Sequence, residues 1–190
     1  METLDPRSTA LVLIDLQKGI APFAAGPHTA GDVFSRAGQL AARFRELGAP
    51  VALVRVGFSR DGADMLRPLT DQPAPAARDL PPDWMTYADE LHAGEGDIHI
   101  VKRQWGAFYG TELELQLRRR GVTQIVLGGV STNIGVESTA RQAFELGFHQ
   151  VLVEDAMSSS DASHHAFAVE NIFPRLGRVR STAQILAALG

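Results

Sequence analysis

Two charged side chains stand where apolar strands should end, and they are the residues best placed to do chemistry. Asp15 closes the run ALVLID at 10–15, and Lys102 follows the short apolar segment 98–101. A carboxylate leaving such a strand is costly to bury unless it is paired or hydrogen-bonded. Aspartate also caps turns, and Asp15-Leu16-Gln17 fits a turn of that kind. Both readings stand. Lys102 either carries its aliphatic stem past the strand to water or faces Asp15. In the second arrangement each charge shifts the other's pKa, and the two form an acid/base couple.

A second group follows a later apolar strand. Gly129-Val130-Ser131-Thr132-Asn133 has the strand–turn–helix setting of a G-x-S-x-G nucleophile elbow, with Asp155 and then His164 or His165 following in the order such hydrolases use. The fifth residue is Asn133 rather than glycine, and Ser131 reads first as a helix-capping hydroxyl. Trp105, Phe108 and Tyr109 cluster just after Lys102. Aromatics belong to a core by default, but beyond a strand end they also wall pockets. Arg55, Arg60 and Arg103 are each able to bind a carboxylate, and spacing does not choose among them. The run Arg118-Arg119-Arg120 ends a helix, where cations complement the dipole.

Several other chemistries lack the residues they need. The chain has no cysteine, so it can build no disulfide, thiolate nucleophile or thiolate metal site. Its histidines show no metal-ligand spacing, no P-loop is present, and no G-x-G-x-x-G follows a strand. No cofactor and no metal are therefore expected. A net charge of -4 without a basic stripe argues against nucleic acid. The opening METLDPRSTALVLIDLQ is acidic before a short apolar stretch that Asp15 interrupts, which is not a signal peptide. No segment is long and apolar enough to span a bilayer. A cytoplasmic protein with a small-molecule substrate and no membrane partner is the expectation.

These residues must be positioned by a scaffold, and the pattern describes one. Short β-branched runs alternate with longer amphipathic stretches, the signature of βαβ units and a parallel sheet. Strands are expected at 10–15, 51–56, 98–101, 124–130, 150–154 and 178–181. Helices are expected at 30–47, 111–120, 133–146, 162–173 and 182–189. The strand at 124–130 is almost wholly apolar, as one buried on both faces should be. Residues 57–96, with Pro68, Pro73, Pro75, Pro81 and Pro82, form too long a connection for an ordinary βα loop; a lid, a subunit contact or a short helical excursion would each account for it. At 190 residues and 45% hydrophobic content, one domain spanning 1–190 is expected. The fold class is α/β, a doubly wound three-layer α/β/α sandwich. Ligands of such sheets bind beyond the carboxyl ends of the strands, near the point where strand order reverses.

Taken together, LVLIDLQ around Asp15, VKRQWGAFYGT around Lys102, GGVSTNIGVESTARQAFELGF around Gly135 and VLVEDAMSS at 151–159 resemble the isochorismatase-like, or cysteine hydrolase, family over nearly the whole chain. The resemblance implies a six-stranded parallel sheet, a non-proline cis peptide at Val130-Ser131, and a homo-oligomer. It also implies a triad of Asp, Lys and Cys. The first two fall on Asp15 and Lys102; the third falls on Gly135, where this chain departs from most relatives. Gln17, Phe23, Trp105, Phe108, Val130, Ser131 and Asn133 are the substrate-contacting positions implied. The Asp-x-His metal site of nicotinamidase members has no counterpart, since the second strand runs into Val56-Gly57-Phe58-Ser59. Glycine at the nucleophile position resembles isochorismatases, which hydrolyse a vinyl ether of a small carboxylate without a covalent intermediate. In that chemistry Asp15 would be the general acid. Burial would raise its pKa while Lys102 would lower it, and the balance decides whether a proton is available. A non-catalytic ligand-binding or scaffold protein that has lost the family thiol is the alternative, and amide hydrolysis by Ser131 a third reading.

Overall fold

The computed structural model describes residues 4–72 and 80–189. Pro73 and Pro75 of the proline-rich connection, and the first three residues of the chain, lie outside them. Six strands form one sheet in the order β3-β2-β1-β4-β5-β6. They are β1 (Thr9–Ile14), β2 (Val51–Val56), β3 (Ile98–Lys102), β4 (Gln124–Val130), β5 (His149–Ser158) and β6 (Arg178–Arg180). Every neighbouring pair is parallel. The strand order reverses between β1 and β4, so the crevice of this three-layer α/β sandwich opens at their carboxyl ends.

Alternation along the strands divides the core in two. Leu11, Leu13, Leu53 and Val153 face α1 (Ala30–Glu46) and α6 (Thr182–Ala188). Val12, Ile14, Ile100 and Leu127 face the other layer, formed by α2 (Leu113–Arg119), α3 (Glu137–Glu145), α4 (Ala162–Phe167) and α5 (Phe173–Leu176). Helix α1 starts at a reciprocal cap between Thr29 and Asp32, and its apolar stripe, from Val33 through Phe44, is buried. No helix among the described residues is long and apolar enough to cross a membrane.

Three elements differ from expectation. Strand β5 continues to Ser158, past the expected end at 154, because the register against β4 shifts between Leu127 and Gly129. The bulge absorbs the extra residues, so that Ser158 ends β5 level with Val130, the last residue of β4. The helix expected at 133–146 begins instead as a wide π turn, Thr132–Val136, before α3. The helix expected at 162–173 is likewise broken by a π turn, Ala168–Ile172, between α4 and α5. Such wide turns leave no mark in the 3.6-residue periodicity from which helices are read.

The second half of the long connection runs back along the end of β1. Lys18 N–H donates to Thr86 O, Gly19 N–H to Trp84 O, and Ala88 N–H to Leu16 O. The only helical piece described within it is the short 3-10 turn Asp89–Leu91.

Candidate functional site

The site begins where β1 stops. Asp15 leaves the strand with φ of +53°, a conformation that aspartate tolerates better than most residues. Its N–H still donates to Val54 O on β2. Beyond it, Gln17 is fully buried and its amide is spent on the backbone. It accepts from Val56 N–H and donates to Val56 O and Trp84 O. This side chain ties the turn after β1 to β2 and to the returning connection.

Lys102, at the end of β3, reaches across β2 to Asp15. Its Nζ lies 2.6 Å from Asp15 Oδ2 and 3.1 Å from Gln104 O. Both side chains are almost wholly buried, at 8% and 2% exposure. Asp15 Oδ1 is buried too, yet it has no hydrogen-bond partner. Burial pushes the Asp15 carboxyl up to about 6, against the opposing pull of the Lys102 charge and hydrogen bond and, least, of the nearby Val56 backbone N–H, which is itself hydrogen-bonded to Gln17. Of the two effects left open by the sequence, desolvation is therefore the larger.

The turn after β4 closes the other side. Gly129, at φ of +137°, lies so close to β1 that any Cβ would strike Ile14 O. The Val130–Ser131 peptide is cis. Ser131 O accepts from Ile134 and Val136 N–H, but its side chain caps nothing, contrary to the expected capping role. The wide turn lets the backbone carbonyl do that work instead. A Cβ built on Gly135 would stand 3.3 Å from Asp15 Oδ2, 3.1 Å from Ile14 Cγ2 and 3.6 Å from Trp105 O. A side chain at position 135 would thus point straight at the buried carboxylate.

The elbow constellation of Ser131, His164 or His165 and Asp155 does not assemble. His165 Nδ1 lies 2.8 Å from Thr132 Oγ1, and burial, aided by the nearby His28, pushes its pKa down to about 4. Asp155 caps α6, accepting from Thr182 N–H and Oγ1 at 2.7 and 2.8 Å. Of the other expected contact positions, Val130 is buried, Phe108 stacks on Phe148 within the core, and Asn133 accepts from Ser159 Oγ. Trp105 and Phe23 are well exposed, at 66% and 48%. Among the arginines, Arg103 pairs with Asp64 and Arg55 lies over Tyr87 while donating to Met85 O; Arg60 is exposed. Among the described residues no three His, Asp or Glu side chains group to hold a metal ion.

The model of the isochorismatase domain matches residues 9–184. The chain belongs to the isochorismatase family. It is 58% identical over its full length to the uncharacterised isochorismatase family protein YecD of Escherichia coli O157:H7, all of which it covers. It is 47% identical to YwoC of Bacillus subtilis, likewise an uncharacterised isochorismatase family protein, over 96% of this chain and 95% of that one. An isochorismatase family protein from Burkholderia thailandensis has the same fold, with a TM-score of 0.94 at 46% identity, covering 100% of this chain and 98% of the other. This member of the family contains no cysteine.

Sequence reasoning passed over Gln104, Thr139 and Gln142, whose polar atoms tie the loop after β3 to itself and to α3. Thr139 and Gln142 act on amides 32 and 34 residues away, and Gln104 bonds within a loop that no periodicity reveals.

Proposed function

We propose that this chain is a hydrolase of the isochorismatase family that works without a covalent nucleophile, cleaving the vinyl ether of a small carboxylate with Asp15 as general acid. One observation carries the reading: a buried carboxyl whose Oδ1 lacks any partner while Lys102 holds its Oδ2. Its raised pKa of about 6 leaves about a tenth of it protonated at neutral pH. That is far more than an exposed aspartate would retain, and it keeps the acid near its operating pH. A proton passes from Asp15 to the methylene carbon of the enol ether, giving an oxocarbenium ion. Water adds to the carbon bearing the ether oxygen, and the hemiketal collapses to the alcohol and a keto acid. A proton from the water returns to Asp15. Lys102 keeps the carboxylate oriented, and Gly135, lacking a side chain, leaves Asp15 Oδ2 uncrowded where a Cβ would stand 3.3 Å away.

Nothing in this scheme asks for a metal or an organic cofactor. Ser131 is poorly suited to act as a nucleophile, because His165 bonds Thr132, His164 is exposed and Asp155 is engaged by Thr182. We also read the chain as a homo-oligomer, which light scattering on the purified protein tests directly.

The test is release of pyruvate from isochorismate and a panel of other enol-pyruvyl ethers. Turnover is expected, and Asp15→Asn should lower it by about 10²- to 10⁴-fold, the worth of a positioned general acid. If those ethers shift the melting temperature but none is turned over, the chain is a ligand-binding protein instead.

A further inference from the structure

We propose that Thr139, seconded by Gln142, is a positioning residue of the Asp15–Lys102 centre: it locks the loop after β3 to the turn that carries Gly135. The proposal rests on reading that centre as the place of reaction. A threonine within a helix commonly bonds back to the carbonyl four residues earlier and does nothing more. Thr139 makes that bond, its Oγ1 donating to Gly135 O at 2.7 Å. The same oxygen also accepts from Ala107 N–H at 3.1 Å. One fully buried hydroxyl thus bridges the position beside the carboxylate and a loop 32 residues away.

Gln142 stands three residues further along the same face of α3. It accepts the next amide of the loop, Phe108 N–H, at 3.3 Å. Just before these two contacts the loop comes so close to α3 that a Cβ at Gly106 would collide with the Gln142 amide. The captured loop is the one that serves the centre. Its Gln104 carbonyl is the second partner of Lys102 Nζ, and its Trp105 carbonyl borders the space beside Gly135. Gln104 Nε2 in turn donates to Gly106 O and Tyr109 O, which ties the loop to itself. With Thr139 in place, Lys102 is held between Asp15 and Gln104, and water is kept from the pair. Without it, Ala107 N–H would lose its acceptor and the loop its anchor on Gly135.

The experiment follows Asp15 titration by carboxyl ¹³C NMR and Ala107 amide exchange in Thr139→Val and Thr139→Ser, needing no substrate. In Thr139→Val the Ala107 amide should exchange about tenfold or more faster, the worth of one hydrogen bond. The Asp15 midpoint should fall from about 6 toward 3.8 as water reaches it; Thr139→Ser should restore both. If Thr139→Val fails to fold, Gln142→Met is read in its place, with Phe108 as the reporting amide. An unchanged Asp15 midpoint in a variant that has merely lost thermal stability overturns the proposal. That outcome leaves the reaction itself untouched, whereas failure of every enol ether to turn over leaves this coupling measurable.

Discussion

Asp15, just past β1, and Asp155, in the bulged stretch of β5, both lie near the carboxyl edge of the sheet, and the fold treats them in opposite ways. Asp155 Oδ1 accepts two hydrogen bonds from Thr182, Arg36 approaches its Oδ2 at 3.9 Å, and the side chain keeps 21% exposure. Asp15 has less exposure, one cationic partner and an oxygen with no partner at all. A carboxylate that serves the scaffold is wrapped in donors. One left buried and half-satisfied costs stability, and folds retain such groups where something other than stability is served. On the proposed function the difference separates the acid from a scaffold carboxylate, whereas residue type alone, in the elbow reading, gave Asp155 a catalytic place.

The sharpest way to break this comparison is to take away the one partner Asp15 has. Lys102→Met leaves the carboxyl buried and alone, and removal of one member of a buried pair typically costs about 3–5 kcal/mol. Since Lys102 lowers the Asp15 pKa, its loss must raise the midpoint above about 6. The variant should therefore be least stable relative to wild type above that pH, and the gap should narrow as the carboxyl protonates. Urea unfolding at several pH values measures this; a gap that widens toward acid would contradict the pairing.

The pH dependence of the unaltered protein comes next in size. The folded carboxyl holds its proton up to about 6, while in the unfolded chain it ionises near 3.8. Below 3.8 the Asp15 contribution is fully present, and it is lost as pH rises through 6. The loss at neutral pH is on the order of 3 kcal/mol, two pKa units or so of differential proton binding. Asp15→Asn should flatten that part of the stability profile between pH 4 and 7. Equal slopes in the two proteins would mean that Asp15 is hydrated in solution.

Much of the scaffold was legible because its signals are local. The β-branched runs mark the strands within a residue or two, apart from β5, and the strand-end rule brought Asp15 and Lys102 forward though 87 residues separate them. Whether they met was beyond any local pattern: a turn-capping aspartate and a solvent-seeking lysine have the same sequence context. Ser131 misled for a related reason. A hydroxyl before a helix reads as a cap, but the turn at 132–136 is too wide and the Ser131 carbonyl takes the amides instead. Gln17 was legible as part of a turn, while its three hydrogen bonds to Val56 and Trp84 depend on where a loop returns 67 residues later.

Asp155→Ala tests the scaffold side of the comparison. It removes both bonds to Thr182, but Ser181 and Gln184 still form a reciprocal cap at the start of α6. The cost should be about 1–2 kcal/mol in unfolding free energy, the usual worth of bonds to a partly exposed charge. The Asp15 midpoint should not move. A shift there would mean that the two aspartates share one network, and the contrast between them would fail.

The smallest effect bears most closely on Gly135. Gly135→Ala sets a methyl 3.3 Å from Asp15 Oδ2 and 3.1 Å from Ile14 Cγ2, tight distances that neighbours must ease by a little. Against that crowding stands the gain from replacing glycine in a helical turn, about 0.5–1 kcal/mol. The two nearly offset, so stability should change by less than about 1 kcal/mol. The methyl offers Asp15 no hydrogen bond and displaces solvent from its side, so the carboxyl midpoint should rise slightly. Turnover of any substrate the wild type accepts should fall, because the new group occupies the space beside the acid. If the midpoint falls instead, the methyl has pried the site open to water. The absence of a side chain at 135 would then be a packing requirement of the turn, with no part in keeping the proton on Asp15.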